Sequence, residues 1–162
     1  MFYVDKNIIN NSVLACFLLT NFIAEFEKDT QNKRNTDISL LLLVLPLLWH
    51  ETSRIAIRNK KKSTLLSTII IDNPLMQHSI KNRITNFSGA TLQGLNLAVA
   101  SGLLEKLKID NNIYFRRTNK KIPNDIKHEL PDDMQKCIPR ISFWFSQEDT
   151  AEIFSLILGE KP

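Results

Sequence analysis

A chain of 162 residues with 43% hydrophobic and 23% charged positions can bury one core of useful size, which excludes a disordered chain and leaves little room for a second well-buried unit. Its formal net charge of +4 is compatible with an acidic partner but does not choose among nucleic acid, lipid and protein. Cys16 and Cys137 stand alone, with no CxxC and no His at ligand spacing, so neither a zinc site nor a disulfide framework is expected and a reducing cytoplasm fits.

In chain order, Met1 to Lys6 and the Asn-rich stretch behind it lack the charged region, apolar core and small-residue cleavage site of a secretory signal, so no export is expected. Asn10, Asn11 or Ser12 can cap a helix to about Glu27, in which Leu14, Leu18, Phe22 and Phe26 recur every fourth residue. Phe17, Leu19 and Ile23 widen that face, which places the helix between other elements. A polar connector, Asp29 to Asp37, leads into a second helical region from Ile38 to Arg58 that Pro46 should kink or divide. The aliphatic run Leu40 to Trp49 is too short for a bilayer, which needs roughly 20 apolar residues, so it is expected as a buried helix and no membrane partner is expected. His50 and Arg54 mark the point where this helix should emerge into solvent.

Ser63 or Thr64 can cap a short helix through Ile71, although the β-branched run Thr68 to Ile71 also allows a strand. Asp72-Asn73-Pro74 predicts a helix start, with the helix reaching about Asn86, a Ser88-Gly89 break, and a further helix over about Ala90 to Leu104. Leu107 and Ile109 then alternate with charges, Asp110-Asn111-Asn112 supplies turn chemistry, and Ile113 to Phe115 returns, which is the pattern of a β-hairpin. Short helices followed by a hairpin give the order of a winged helix-turn-helix over about 63–116. Arg117 to Pro139 is proline-interrupted and reads as a long loop with a helical turn, followed by a helical return over about 139–162. The fold expected is therefore a mainly α single domain, 1–162, with a winged-helix-like core and one short hairpin.

Enzyme chemistry is not indicated. Four glycines, at 89, 94, 102 and 159, provide no phosphate-cradling loop, and no serine or cysteine sits in a nucleophile context. His50-Glu51 would need a second His at position 54, which is Arg. No catalytic residue, metal or cofactor is expected. The chain does carry two basic clusters that could contact a nucleic-acid backbone: Arg54, Arg58, Lys60, Lys61 and Lys62, and then Arg116, Arg117, Lys120 and Lys121. An ordinary solvated surface explains them equally well. Base readout is not expected, because Ala90 to Leu104 offers no Arg or Lys. Leu43, Leu45, Pro46 and Trp49, with Phe143, Trp144 and Phe145, are either core or partner anchors, because aromatic residues serve both roles.

The order of Leu43-Val44-Leu45-Pro46-Leu47-Leu48, His50, Arg54, Asn73-Pro74, Gly102-Leu103-Leu104, Trp144-Phe145 and the closing Leu158-Gly159-Glu160-Lys161-Pro162 resembles the middle components of three-component ABC ATPase systems, including Lamassu-type anti-phage systems. Glu160 departs from the apolar residue expected between Gly159 and Lys161. The resemblance implies a non-catalytic adaptor in a hetero-oligomer. Such an adaptor would join an SMC-like ABC ATPase to an effector, often a nuclease, in defence against phage or plasmids. The other reading of the residues is a free-standing winged-helix DNA-binding regulator.

Overall fold

Residues 11–160 are described by the computed structural model; Asn10 as a capping residue, the Met1–Lys6 stretch and Lys161-Pro162 lie outside them. Asn11 opens helix α1 (Ser12–Asp29) by accepting the Leu14 amide on its side chain at 2.9 Å. Leu18, Leu19, Phe22, Ile23 and Phe26 are fully buried along it, as the broad apolar face predicts. The helix packs chiefly between α6 (Ile80–Ala100) and α8 (Asp132–Ser146).

After the connector, Thr36–Asp37 forms strand β1. Asp37 then caps α2 (Ile38–Leu41), taking the Leu40 amide on one carboxylate oxygen at 2.8 Å and the Thr150 hydroxyl on the other at 2.6 Å. The second helical region is divided, but not at Pro46. It breaks at Leu42-Leu43 and again at Trp49-His50, giving α3 (Val44–Leu48) and α4 (Glu51–Arg58). Pro46 sits in the first turn of α3, where an amide has no acceptor inside the helix, so its missing proton costs nothing. The turn comes instead at His50, where the chain bends by 95° between Ile38–Leu48 and Glu51–Arg58. Among the described residues no single helix is long and apolar enough to cross a membrane.

Helix α5 (Leu66–Asp72) shows that the β-branched run is helical, starting after Leu65 with no side-chain cap; neither Ser63 nor Thr64 caps it. Asn73-Pro74 opens only a 3-10 turn (Pro74–Met76), and Ser79, in the left-handed region at φ 54, separates that turn from α6. Helix α6 runs through Ser88-Gly89 without a break, so the expected pair of helices is one element of 21 residues. Its contact with α1 supports the weak spot: an added Cβ at Gly94 would meet Ala15 Cβ at 2.8 Å, so the two helices touch backbone to backbone. Arg83 on α6 is buried and donates to the carbonyls of Pro46, Met76 and His78, tying α3 and the 76–78 turn to one helix.

The hairpin forms as the sequence predicts. Strands β2 (Leu104–Ile109) and β3 (Asn112–Arg117) pair antiparallel around Asp110 and Asn111, both at positive φ, which suits a tight two-residue turn. Strand β1 adds to the far side of β3, so the sheet order is β1-β3-β2. The stretch read as loop up to Pro139 holds α7 (Asn124–Glu129) and the first half of α8, which passes through Pro139. The helical return is thus two helices, α8 and α9 (Thr150–Leu158), and it starts seven residues earlier than expected. The fold is mainly helical with a three-stranded antiparallel sheet.

Candidate functional site

The residues expected as partner anchors are mostly inside the molecule. Leu43, Leu45 and Phe145 are fully buried, Pro46 is buried, and Trp49 and Trp144 retain 7% and 3% exposure. Of the two roles open to them from the sequence, core or partner anchor, burial within this chain favours the core for all of these. The bend at His50 folds the aliphatic run back over α6, where Trp49 meets Phe87 edge-on at 5.4 Å, and Phe145 meets Phe22 edge-on at 6.0 Å. Only Phe143 reaches the surface, half-buried.

The nine candidate cations divide according to what each already holds. Arg54 donates from Nε to Asp133 at 2.8 Å and from Nη1 to the Leu48 carbonyl at 2.8 Å. Arg117 spans the Leu103 and Lys120 carbonyls, and burial lowers its pKa while the Glu27 charge opposes that shift. Lys120 donates to the Ser101 carbonyl at 2.6 Å. In these three the side chain already holds a carbonyl or carboxylate within the protein, which leaves fewer donors free for a phosphate. Lys60 pairs with Asp72 at 3.1 Å, and Arg116 pairs across the hairpin with Glu105 at 2.9 Å. Arg58, Lys61, Lys62 and Lys121 are exposed and have no carboxylate partner among the described residues.

Two surface depressions accompany these groups. One is an open cleft of about 340 Å³ between α1, the 117–127 segment and α8, where Lys28, Arg117, Lys121 and Lys127 face a single carboxylate, Glu25. Glu25 is itself bound to Lys28 at 3.0 Å. Lys28 lies some 90 positions from the second basic cluster, and only the packing of α1 brings it there, so no local sequence signal marks it. The other is a groove of about 310 Å³ between Leu65-Leu66 and the α8–α9 pair, with Phe143, Trp144 and Leu156 as its apolar walls and Lys62 and Glu148 on its rims. Leu65, Ile71 and Leu75, which sequence reasoning passed over, are exposed here or close by in the chain. Their signal was apolar residues at helical spacing outside the buried face of a short helix.

The imidazole of His50 and the two thiols are drawn into the protein. His50 is half-buried rather than solvent-facing. Its Nδ1 lies 2.7 Å from Ser53 Oγ, and burial, with the Arg83, Arg54 and His78 charges, lowers its pKa to about 4. The thiols of Cys16 and Cys137 are buried and pushed up to about 11, chiefly by desolvation. Among the described residues no three His, Cys, Asp or Glu side chains converge as a metal site would require. The two depressions differ in character, one basic and one largely apolar.

Residues 6–162 match the family model described as MC3, ABC-three component (ABC-3C) system Middle Component 3. No curated protein matches the chain, and no solved structure does.

Proposed function

The chain belongs to the Middle Component 3 family of ABC-three component systems, and from that premise we propose that it is a non-catalytic adaptor, joining an SMC-like ABC ATPase to an effector subunit, such as a nuclease, in Lamassu-type defence against phage or plasmids. The observation that carries the reading is the match over residues 6–162, nearly the whole chain, to a component of a multi-subunit system. The two depressions are in keeping with it, since an adaptor needs more than one contact surface. In this reading the chain acts in the cytoplasm as part of a hetero-oligomer, binds no cofactor, and leaves ATP and cleavage chemistry to the other subunits. DNA contact, where it occurs, is with the backbone through Arg58, Lys61, Lys62 and Lys121.

The sheet order β1-β3-β2, with a long helix leading directly into the hairpin, favours a winged-helix-like reading of that part of the fold. The exposed Lys106 and Lys108 on the hairpin give some support to the second reading, a free-standing DNA-binding regulator. Co-expression with the neighbouring components, followed by affinity capture on this chain, separates the two. An adaptor brings down the ATPase or the effector. A regulator comes alone and protects one defined duplex sequence from cleavage at moderate salt.

A further inference from the structure

Helix α5 is seven residues long, yet it and its flanks carry three of the large apolar side chains most open to solvent: Leu65 at 69%, Ile71 at 77% and Leu75 at 61% exposed. Leu65, Thr68 and Ile71 recur at three-residue spacing along its outer side, and Leu75 follows in the 3-10 turn. The opposite side, Leu66, Ile69 and Ile70, is in the core, while the outer side carries Thr68 and Asp72 beside the exposed apolar groups. A cluster of exposed large apolar side chains of this kind marks a contact surface.

The groove beside it is built rather than incidental. Trp144 Nε1 donates to the Lys62 carbonyl at 3.0 Å, Arg140 Nε to the Lys60 carbonyl at 2.7 Å, and Gln77 Nε2 to the Leu156 carbonyl at 2.9 Å. These bonds fix the 60–62 stretch and α9 against their neighbours, so the depression between Leu65, Phe143 and Leu156 is formed before anything binds. Lys61 and Lys62 lead into it with no carboxylate partner, whereas the nearby Lys60 is neutralised by Asp72. The groove itself carries one cation, Lys62, and one acid, Glu148, and the exposed Lys61 beside Lys62 adds a second cation at that end.

We propose that the outer face of α5, with the groove between Leu65 and the α8–α9 pair, is the docking site for an acidic, amphipathic segment of another component of the same three-component system. The proposal rests on the adaptor reading and locates its contact. Apolar anchors of the partner would fill the Leu65–Phe143–Leu156 groove and cover Ile71, while its acidic residues would meet Lys61 and Lys62. This arrangement couples a desolvated centre to a charged rim, which sets affinity and association rate respectively.

The test is affinity capture and titration of the co-expressed components on the full chain, with melting of each variant. Leu65→Glu with Ile71→Glu should lower affinity by at least about tenfold while leaving the melting temperature unchanged, since both side chains already face water. Lys61→Glu with Lys62→Glu should weaken binding at low salt and lose that effect at high salt. Val13→Glu with Leu92→Glu, exposed apolar residues on α1 and α6, should change nothing. A wild-type complex that survives the Leu65/Ile71 pair intact overturns the docking site and leaves the adaptor reading standing. A wild-type chain that captures no component overturns both. A wild-type chain whose self-association disappears in the Leu65/Ile71 variant places a second copy on this face and overturns the proposal.

Discussion

Gly94 of α6 and Ala15 of α1 approach so closely that a single methyl group on the glycine would lie 2.8 Å from the alanine Cβ and 2.9 Å from the Cys16 amide nitrogen. Two of the obstructing atoms are backbone, so no side-chain rotation relieves the clash. Gly94→Ala should therefore destabilise the protein by about 1–3 kcal/mol despite the better helix propensity of alanine. Gly89, five residues earlier in the same helix, has open space around it, and Gly89→Ala should stabilise by roughly 0.5–1 kcal/mol. Opposite shifts in denaturant midpoint for the two variants check the prediction; equal shifts would show that helix packing does not set the sign.

Trp144→Ala removes a side chain that is 3% exposed and donates a hydrogen bond to the Lys62 carbonyl. A loss of about 3–5 kcal/mol is expected, read as a lower melting temperature of the isolated chain. An unchanged melting temperature with impaired partner capture would return Trp144 to the anchor role that its burial denies.

Arg54 is expected to behave as a structural residue. Its guanidinium joins α4 to the start of α8 through Asp133, with the Arg54 side chain only 11% exposed. Arg54→Ala should cost about 1–3 kcal/mol. Arg58→Glu, one turn later and exposed, should leave stability within about 0.5 kcal/mol. With Lys121→Glu it should reduce any duplex binding equally across sequences and flatten its salt dependence by about one unit of slope per lost contact. Retained binding in that double variant, measured by fluorescence anisotropy, would place the DNA contact elsewhere.

His50 makes stability depend on pH in a stated direction. Its folded pKa, about 4, lies below the ordinary 6.5, so the unfolded chain takes up the proton first as the pH falls. Stability is then lost between about pH 6.5 and 4, with no further loss from this group below that. After discounting for partial exposure the contribution is on the order of 1–2 kcal/mol. His50→Gln should remove that slope while keeping the slope due to carboxylates common to both proteins; parallel stability profiles from pH 7 to 4.5 would refute it.

Local features were legible in the sequence and long-range ones were not. Asn11 as a cap, the four-residue apolar spacing of α1, and the Asp110-Asn111 turn each act within a few residues, and each formed where its chemistry points. Pro46, Ser88-Gly89 and Pro139 misled because a helix breaker is read in isolation, whereas its cost depends on position within the helix and on what packs alongside. Pro46 falls in a first turn, Gly89 is carried by a helix anchored through Gly94, and Pro139 lies in α8, whose apolar face covers α1. Core and contact surface were inseparable for the same reason: Trp144 and Leu65 are both large and apolar, and only the tertiary fold buries one and exposes the other.

Arg83 offers its charge to main-chain carbonyls of Pro46, Met76 and His78 and to no carboxylate among the described residues, so the bonds themselves do not depend on the side chains at those three positions. His78 can be exchanged for another residue without loss of its bond, provided that the backbone keeps its path, whereas the side chains of Pro46 and Met76 are also held by the core. The guanidinium cannot be exchanged on the same terms, since an ammonium group has no planar fork to reach three diverging oxygens. Rigidity at one guanidinium thus leaves the side chain at position 78 free of the tie. A library randomised at 78 and 83 should return folded members that vary at the first and agree on arginine at the second.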